Sequence, residues 1–311
     1  MRYPRFISPS ALAKYQYGEE DYYLHYLADN SPPREPQTEP MSVGSAFDAY
    51  VKSYLFERVM GRLDPQFELA SIFETQVEAC NRDFARKAGL VCFEAYKSCG
   101  ALADLLVELM AATATPRFEF TVEGTVEGVK LLGKPDVWYV DRNNVPIILD
   151  FKVNGYCSNY PVSPKRGYIR VRGPGNNQDG PHSKAQISRI NGVRLNIAEF
   201  FDDIDAAWSQ QLTTYAWLCG APVGSFFIVA VDQLCCSHGN IRVAEHRCQI
   251  NPTFQIKTLE CYKALWDIIF SEPFHFFRER TLEESIARCG ILDTQYAAYT
   301  NGESWLKDMF H

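Results

Sequence analysis

Residues Pro146–Gly155 read PIILDFKVNG. Ile147, Ile148 and Leu149 form an apolar run bounded by Pro146 on one side and Asn154-Gly155 on the other, which reads as a short buried strand. Side chains alternate along a strand, so Asp150 and Lys152 share one face and Phe151 takes the other. Two readings stand: a strand leaving the core through an ion pair, or a metal site with a lysine beside it. Upstream, LLGKPDVWYV (131–140) sets Asp136 near the start of another strand, and DRNN (141–144) turns the chain back into the first. A hairpin of that length brings Asp136 near Asp150, so two carboxylates and a lysine meet at one edge of the sheet. Like charges held close favour a divalent cation, and carboxylate oxygens suit Mg²⁺ or Mn²⁺.

Around this hairpin the pattern is that of a mixed α/β fold. Ser8 and Pro9 are placed to cap and open a first helix, which Gly18 divides. NSPPREPQTEP (30–40) reads as a loop, and SVGSAFDAYVKSYLFERVMG (42–61) as a second helix. From Asp64 to about Ala112 the chain is helical, in pieces broken near Gly89 and Gly100. From Pro116 the sequence alternates and is rich in Val and aromatics, predicting three or four antiparallel strands. Residues 154–196 read as a long irregular segment. A helix at DDIDAAWSQQLTTYAWLCG (202–220), two strands at GSFFIVAVDQL (224–234) and IRVAEHRCQI (241–250), and a helix from Asn251-Pro252 follow. The tail from Thr281 is helical, with Ser285 and Arg288 on a polar face. The whole is expected to be one domain: a helical N-terminal portion (1–115), an α/β core (116–250) with a basic insertion (155–196), and C-terminal helices (251–311).

The chain of 311 residues carries a net charge of −7, which argues against a protein that coats nucleic acid nonspecifically. The charge is uneven. Between Lys165 and Arg194 stand Lys165, Arg166, Arg170, Arg172, Lys184, Arg189 and Arg194 against a single acid, Asp179. The ten cysteines include no Cys-x-x-Cys pair and read as free thiols, so no iron–sulfur cluster is expected. No apolar run is long enough for a membrane helix, and the N-terminus lacks the pattern of a signal peptide, so the expected place is the cytoplasm, with no membrane partner.

In QLTTY (211–215), Gln211 and Tyr215 stand four apart and share a helix face. Taken alone this is an amphipathic helix packing on a sheet. Taken with GKPD (133–136) and ILDFK (148–152), it resembles the PD-(D/E)XK nuclease superfamily, and more closely its RecB-type and phage-exonuclease branch. SPSALAKYQYGEEDYYLHYL (8–27) is similar to that branch's opening helix. VGSAFDAYV (43–51) is similar to its Gly-x-x-x-His segment, with Gly44 in place and Asp48 where the histidine is usual. The resemblance covers Ser8 to about Ala230.

What the resemblance implies is a restriction-endonuclease-like core and metal-dependent phosphodiester hydrolysis. Asp136 and Asp150 would hold Mg²⁺ (or Mn²⁺) with the backbone carbonyl of Phe151, and Asp48 would be a further ligand. Lys152 would serve the attacking water, and Gln211 and Tyr215 would contact phosphate or support the site. One of Glu119, Glu123 and Glu127 could be an added ligand, but their alternation with Phe120, Val122 and Val126 reads more simply as a solvated face. The basic segment is expected to contact DNA through Lys165, Arg166, Arg170, Arg172, Lys184, Arg189 and Arg194, with Tyr168 stacking on bases. The expected activity is that of a DNA exonuclease acting on linear ends in phage-type recombination, in a bacterial or phage-infected cell. The alternatives are a defence-type endonuclease and a catalytically silent binding protein of the same fold. Beyond DNA, the implied partners are a single-strand annealing or recombination protein and further copies of the chain.

Overall fold

The computed structural model describes residues 1–34, 36–62, 64–154, 188–190, 193–195, 200–237, 240–271 and 273–300. In chain order its main helices and strands are α1 (Pro9–Tyr17), α2 (Glu19–Tyr22), α3 (Glu39–Met60), α4 (Leu69–Gln76), α5 (Arg82–Ser98), α6 (Ala101–Met110), β1 (Ala114–Phe118), β2 (Val122–Val126), β3 (Val129–Gly133), β4 (Val137–Val140) and β5 (Pro146–Asn154). There follow β6 (Ser188–Ile190), β7 (Val193–Leu195), α7 (Ala206–Leu218), β8 (Ile228–Ser237), β9 (Asn240–Gln249), α8 (Pro252–Phe270) and α9 (Leu282–Thr300). Contacts divide the chain into two units. One comprises Met1–Glu35, Glu123–Gly133 and Lys257–His311, the other Pro36–Val122 and Lys134–Ile256.

In the first unit, Ser8 caps α1 by accepting the Ala11 N–H at 3.2 Å, Pro9 opens the helix, and Gly18 ends it. The helix α2 passes into a π-helical turn at Tyr23–Leu27. Fully buried Asp21 is neutralised by the chain itself, 2.8 Å from Lys14 and 3.1 Å from His25. Glu20 holds Arg280 and Arg288, each at 2.7 Å. Ser285, expected on a polar face of the tail helix, is instead 1% exposed and faces inward.

The second unit is built on a mixed sheet in the order β1-β4-β5-β8-β9-β6-β7. Its pairs are antiparallel except β5 with β8, between which β6, β7 and α7 lie in the chain. Helices cover both faces, as a mixed α/β restriction-endonuclease-like core requires. Ile147, Leu149 and Phe151 pack under α3, α5 and α6, while Ile148 packs with Leu212, Tyr215 and Ala216 of α7. The alternation therefore turns Asp150 and Lys152 toward α7.

Several expectations change. The helix α3 starts at Glu39, capped by Thr38 with Pro40 in its first turn, so part of the proline-rich stretch is a helix start rather than a loop. Gly89 does not break a helix. It lies inside α5, where an added Cβ would come 2.6 Å from the Ala46 Cβ, so glycine lets α5 approach α3 closely. The strands after Pro116 number five rather than three or four, and β2 and β3 form a separate hairpin. It turns at Glu127 and Gly128, both in the left-handed region. The end of the expected irregular segment is a β6–β7 hairpin.

Candidate active site

Strand β4 pairs with β5 only as far as Val137 opposite Leu149. Pro135, two residues earlier, has no N–H to extend the ladder. Strand β5 continues alone on this edge to Asn154, and the Phe151 N–H loses its strand partner. The Asp136 carboxylate replaces it, with Oδ2 accepting that N–H at 2.9 Å. The hairpin thus brings Asp136 beside Asp150, close enough for each carboxyl to shift the ionisation of the other.

From Asp150 a polar chain runs along the α7 face of the sheet. Lys152 Nζ lies 2.5 Å from Asp150 Oδ2 and donates to Gln211 Oε1 at 3.1 Å. Gln211 Nε2 donates to the Tyr215 hydroxyl at 2.9 Å. Gln211 and Tyr215 share a helix face because α7 starts from a well-made cap, with Asp205 accepting the Trp208 N–H at 3.0 Å. The Trp208 ring lies 5.8 Å from the Lys152 ammonium and adds a cation–π contact. Asp136, Asp150, Lys152, Gln211 and Tyr215, which the sequence singles out, are therefore brought together.

On the other side of Asp136 the structure adds Lys52, which the sequence reading left out, and Glu119, which it placed on a solvated face. Lys52, one helical turn beyond Asp48 on α3, is 1% exposed. Its Nζ lies 2.6 Å from Asp48 Oδ2 and 2.8 Å from Asp136 Oδ1, and it also bonds Glu119. Glu119 was expected on a solvated face together with Glu123 and Glu127. Those two are exposed, but Glu119 is not, and Lys134 pairs with it from the outer side. The reason is local: β1 ends at Phe118, and Glu119 takes φ +46°, which breaks the alternation and turns its side chain into the cluster. The signal available for Lys52 was its spacing of four from Asp48 in a helix otherwise apolar on that side.

Four acidic side chains against the ammonium groups of fully buried Lys52 and half-buried Lys152 leave an excess of negative charge. Burial, reinforced by the neighbouring Asp136 and opposed by Lys152, pushes the Asp150 carboxyl up to about 7. Burial also pushes Asp48 up to about 8, with Lys52 opposing and Asp136 and Glu119 reinforcing. Asp136 itself is held below the usual carboxylate range: burial opposes ionisation, but Lys52, the neighbouring Asp150 carboxyl and the Phe151 N–H outweigh it. Lys152 is held above its ordinary value, since Asp150 and Asp136 overcome burial, so it stays an ammonium. Tyr215, pushed up to about 12 by burial first and Asp150 second, stays a neutral hydroxyl.

Carboxylate oxygens of this kind suit a hard divalent ion. Asp48, Glu119 and Asp136 each offer an oxygen within 4.8 Å of the others, with Lys52 seated among them, and Asp48 Oδ1 is buried without a hydrogen-bond partner. Of the residues expected on DNA, Lys165, Arg166, Tyr168, Arg170, Arg172 and Lys184 lie outside the described residues. Arg189 and Arg194 stand opposite each other in the β6–β7 hairpin.

No family model matches the chain. No curated protein matches it either. Among solved structures, a provisionally assigned exonuclease from Eubacterium rectale is 13% identical, with 85% of this chain and 80% of that one covered at a TM-score of 0.43. A structure named SSO0001 is 14% identical, with 84% and 93% covered at a TM-score of 0.24. Likeness at these levels fixes neither the fold nor the activity of this chain, and the functional reading rests on the site's own geometry.

Proposed function

We propose that this chain is a divalent-metal-dependent deoxyribonuclease of the PD-(D/E)XK type, RecB-like, that hydrolyses phosphodiester bonds at the ends of linear DNA. One observation carries the reading: Asp136 and Asp150 adjoin at the edge of a mixed sheet, and from Asp150 an ion pair to Lys152 leads into hydrogen bonds to Gln211 and Tyr215. A fold does not need a carboxyl pair packed against an ammonium, with Asp150 itself buried, and such an arrangement costs stability unless something else compensates.

Asp136 and Asp150, with the Phe151 carbonyl and the unbonded Asp48 Oδ1, would hold Mg²⁺ or Mn²⁺. The ion would supply charge neutralisation at a phosphate oxygen and a water acidified for attack. The remaining work belongs to side chains of this chain. Lys152, kept protonated, offers an N–H and a positive charge where negative charge grows on the phosphoryl group. Its ammonium also holds the Asp150 carboxylate in place. Gln211 accepts one Lys152 N–H and so fixes the direction of the ammonium. Tyr215 in turn fixes Gln211. Lys165, Arg166, Tyr168, Arg170, Arg172, Lys184, Arg189 and Arg194 would carry the DNA strand beside the site, as a basic segment in an otherwise acidic chain favours. A place in phage-type recombination, with a strand-annealing or recombination protein as partner, goes with the resemblance to that branch.

The test is incubation of the purified chain with linear, nicked and closed circular DNA in Mg²⁺, Mn²⁺ or EDTA. Loss of linear DNA alone, abolished by EDTA, supports an exonuclease. Cutting of closed circles replaces it with an endonuclease. DNA binding without cleavage in either metal contradicts the hydrolytic reading and leaves a silent binding protein.

A further inference from the structure

We infer that Lys52 is a resident counter-cation: its ammonium fills the cation position bounded by Asp48, Glu119 and Asp136, and so limits the centre to one divalent ion. The inference rests on the metal-dependent reading above.

The geometry is that of a saturated site. An ammonium has three N–H donors, and Lys52 meets three carboxylates: Asp48 Oδ2 at 2.6 Å, Asp136 Oδ1 at 2.8 Å, and Glu119 Oε2. Each of these three side chains offers an oxygen within 4.8 Å of the other two, close enough to hold a metal ion. Metal and ammonium make the same demand, several oxygens within about 2–3 Å of one positive centre. Two cations cannot share that point, and the lysine is covalently present at it. Its side chain is 1% exposed, so the ammonium is held by these carboxylates rather than by bulk water.

What remains for a metal lies toward Asp150. That carboxyl is engaged by Asp136 and Lys152 and not by Lys52. Asp48 Oδ1 stays unbonded because Lys52 takes Oδ2, and it faces no other donor. A third and a fourth carboxylate near Asp136 would ordinarily point to a two-ion centre. Here the second pair of charges is already matched, by Lys52 from inside and Lys134 from outside. Lys52 is thus a positioning residue. It acts through Asp48 and Asp136, holding Oδ2 of the first and Oδ1 of the second, so that Asp48 Oδ1 is left for a single ion.

The experiment counts ions and does not depend on cleavage. The full chain is stripped of metal and titrated with Mn²⁺, and tightly bound ions are counted from the loss of the free-ion signal in electron paramagnetic resonance. The wild type is expected to hold one Mn²⁺ per chain and Lys52→Gln two, while Lys52→Arg stays at one. Should Lys52→Gln fail to fold without metal, it is refolded in Mn²⁺ and its bound ions are counted after equilibrium dialysis. Two tight ions in the wild type overturn the inference, and so does one in both wild type and Lys52→Gln, with the nuclease reading untouched in either case. No tight ion in the wild type contradicts the metal-dependent reading itself and removes the inference with it.

Discussion

Lys152 Nζ has Asp150 at 2.5 Å and Gln211 at 3.1 Å, and the Tyr215 hydroxyl accepts from Gln211 at 2.9 Å. The effect of each side chain on the rate should therefore fall with its distance along this chain. Lys152→Met is expected to lower the cleavage rate by roughly 10²–10³-fold, the size seen when one preorganised charged donor is removed. Gln211→Ala should cost about tenfold, since it misdirects the ammonium but leaves it in place, and Tyr215→Phe less still. Single-turnover rates on linear duplex DNA check the order, and a Tyr215→Phe loss equal to that of Lys152→Met would refute it. These residues were legible in the sequence because regular geometry places them: period two on a strand for Asp150 and Lys152, spacing of four on a helix for Gln211 and Tyr215. Lys52 and Glu119 were not. An Asp-x-x-x-Lys pair on a helix is most often a surface ion pair, and nothing in the sequence says that α3 is buried at Lys52. Glu119 joins the cluster through one left-handed residue, and a single φ value is not visible in a hydrophobic pattern.

Among the elements, α3 and β5 do most to build the site. The apolar face of α3 packs on Phe151, with Phe47 edge-on to its ring at 6.1 Å, so the helix that carries Asp48 and Lys52 is seated on the strand that carries Asp150 and Lys152. Gly89 lets α5 close on α3 behind it. Gly89→Ala puts a methyl 2.6 Å from the Ala46 Cβ, with no flexible side chain to give way. The variant should lose about 1–3 kcal/mol of stability by urea unfolding, whereas Gly44→Ala, with open space around its Cβ, should not. Equal effects at the two positions would show that the α3–α5 approach is not tight. Gly89 was read as a helix break because glycine marks breaks more often than close packing, and the partner that needs the space lies 43 residues away in sequence, at Ala46. The hairpin from β4 to β5 was legible because DRNN has turn chemistry. Asp141 Oδ1 accepts the N–H groups of Asn143 and Val145, each at 2.8 Å, and Asn144 takes φ +61°. The separation of β2–β3 from the main sheet was not legible, because alternation reports that a strand exists but not which sheet it joins.

For the whole molecule, the buried carboxyls tie stability to pH and to metal together. Asp48 and Asp150 titrate at about 8 and about 7 in the fold, against roughly 4 in an unfolded chain. Across that interval the folded state binds more protons than the unfolded state. The stability this brings is present at low pH and is lost as pH rises through 7 to 8 in the metal-free protein. A divalent ion binds the ionised carboxylates, so its stabilisation grows over the same interval. The rise in melting temperature caused by Mg²⁺ should be small near about pH 6 and larger near about pH 8.5. A rise that does not change with pH would place the ion away from Asp48 and Asp150. Among the described residues no helix is long and apolar enough to cross a membrane. The mixed sheet with helices on both faces was legible from the order of helical and alternating segments, whereas the division into two units was not, since each unit is assembled from segments distant in sequence. The most direct test of the central claim is Mg²⁺-dependent hydrolysis of linear duplex DNA by the wild type and by Asp150→Asn, read as release of acid-soluble nucleotides, with circular dichroism showing both to be folded. The account predicts release by the wild type, none in EDTA, and a loss of about 10²–10⁴-fold in Asp150→Asn. Undiminished release by a folded Asp150→Asn, or none by the wild type in Mg²⁺ or Mn²⁺, would contradict it.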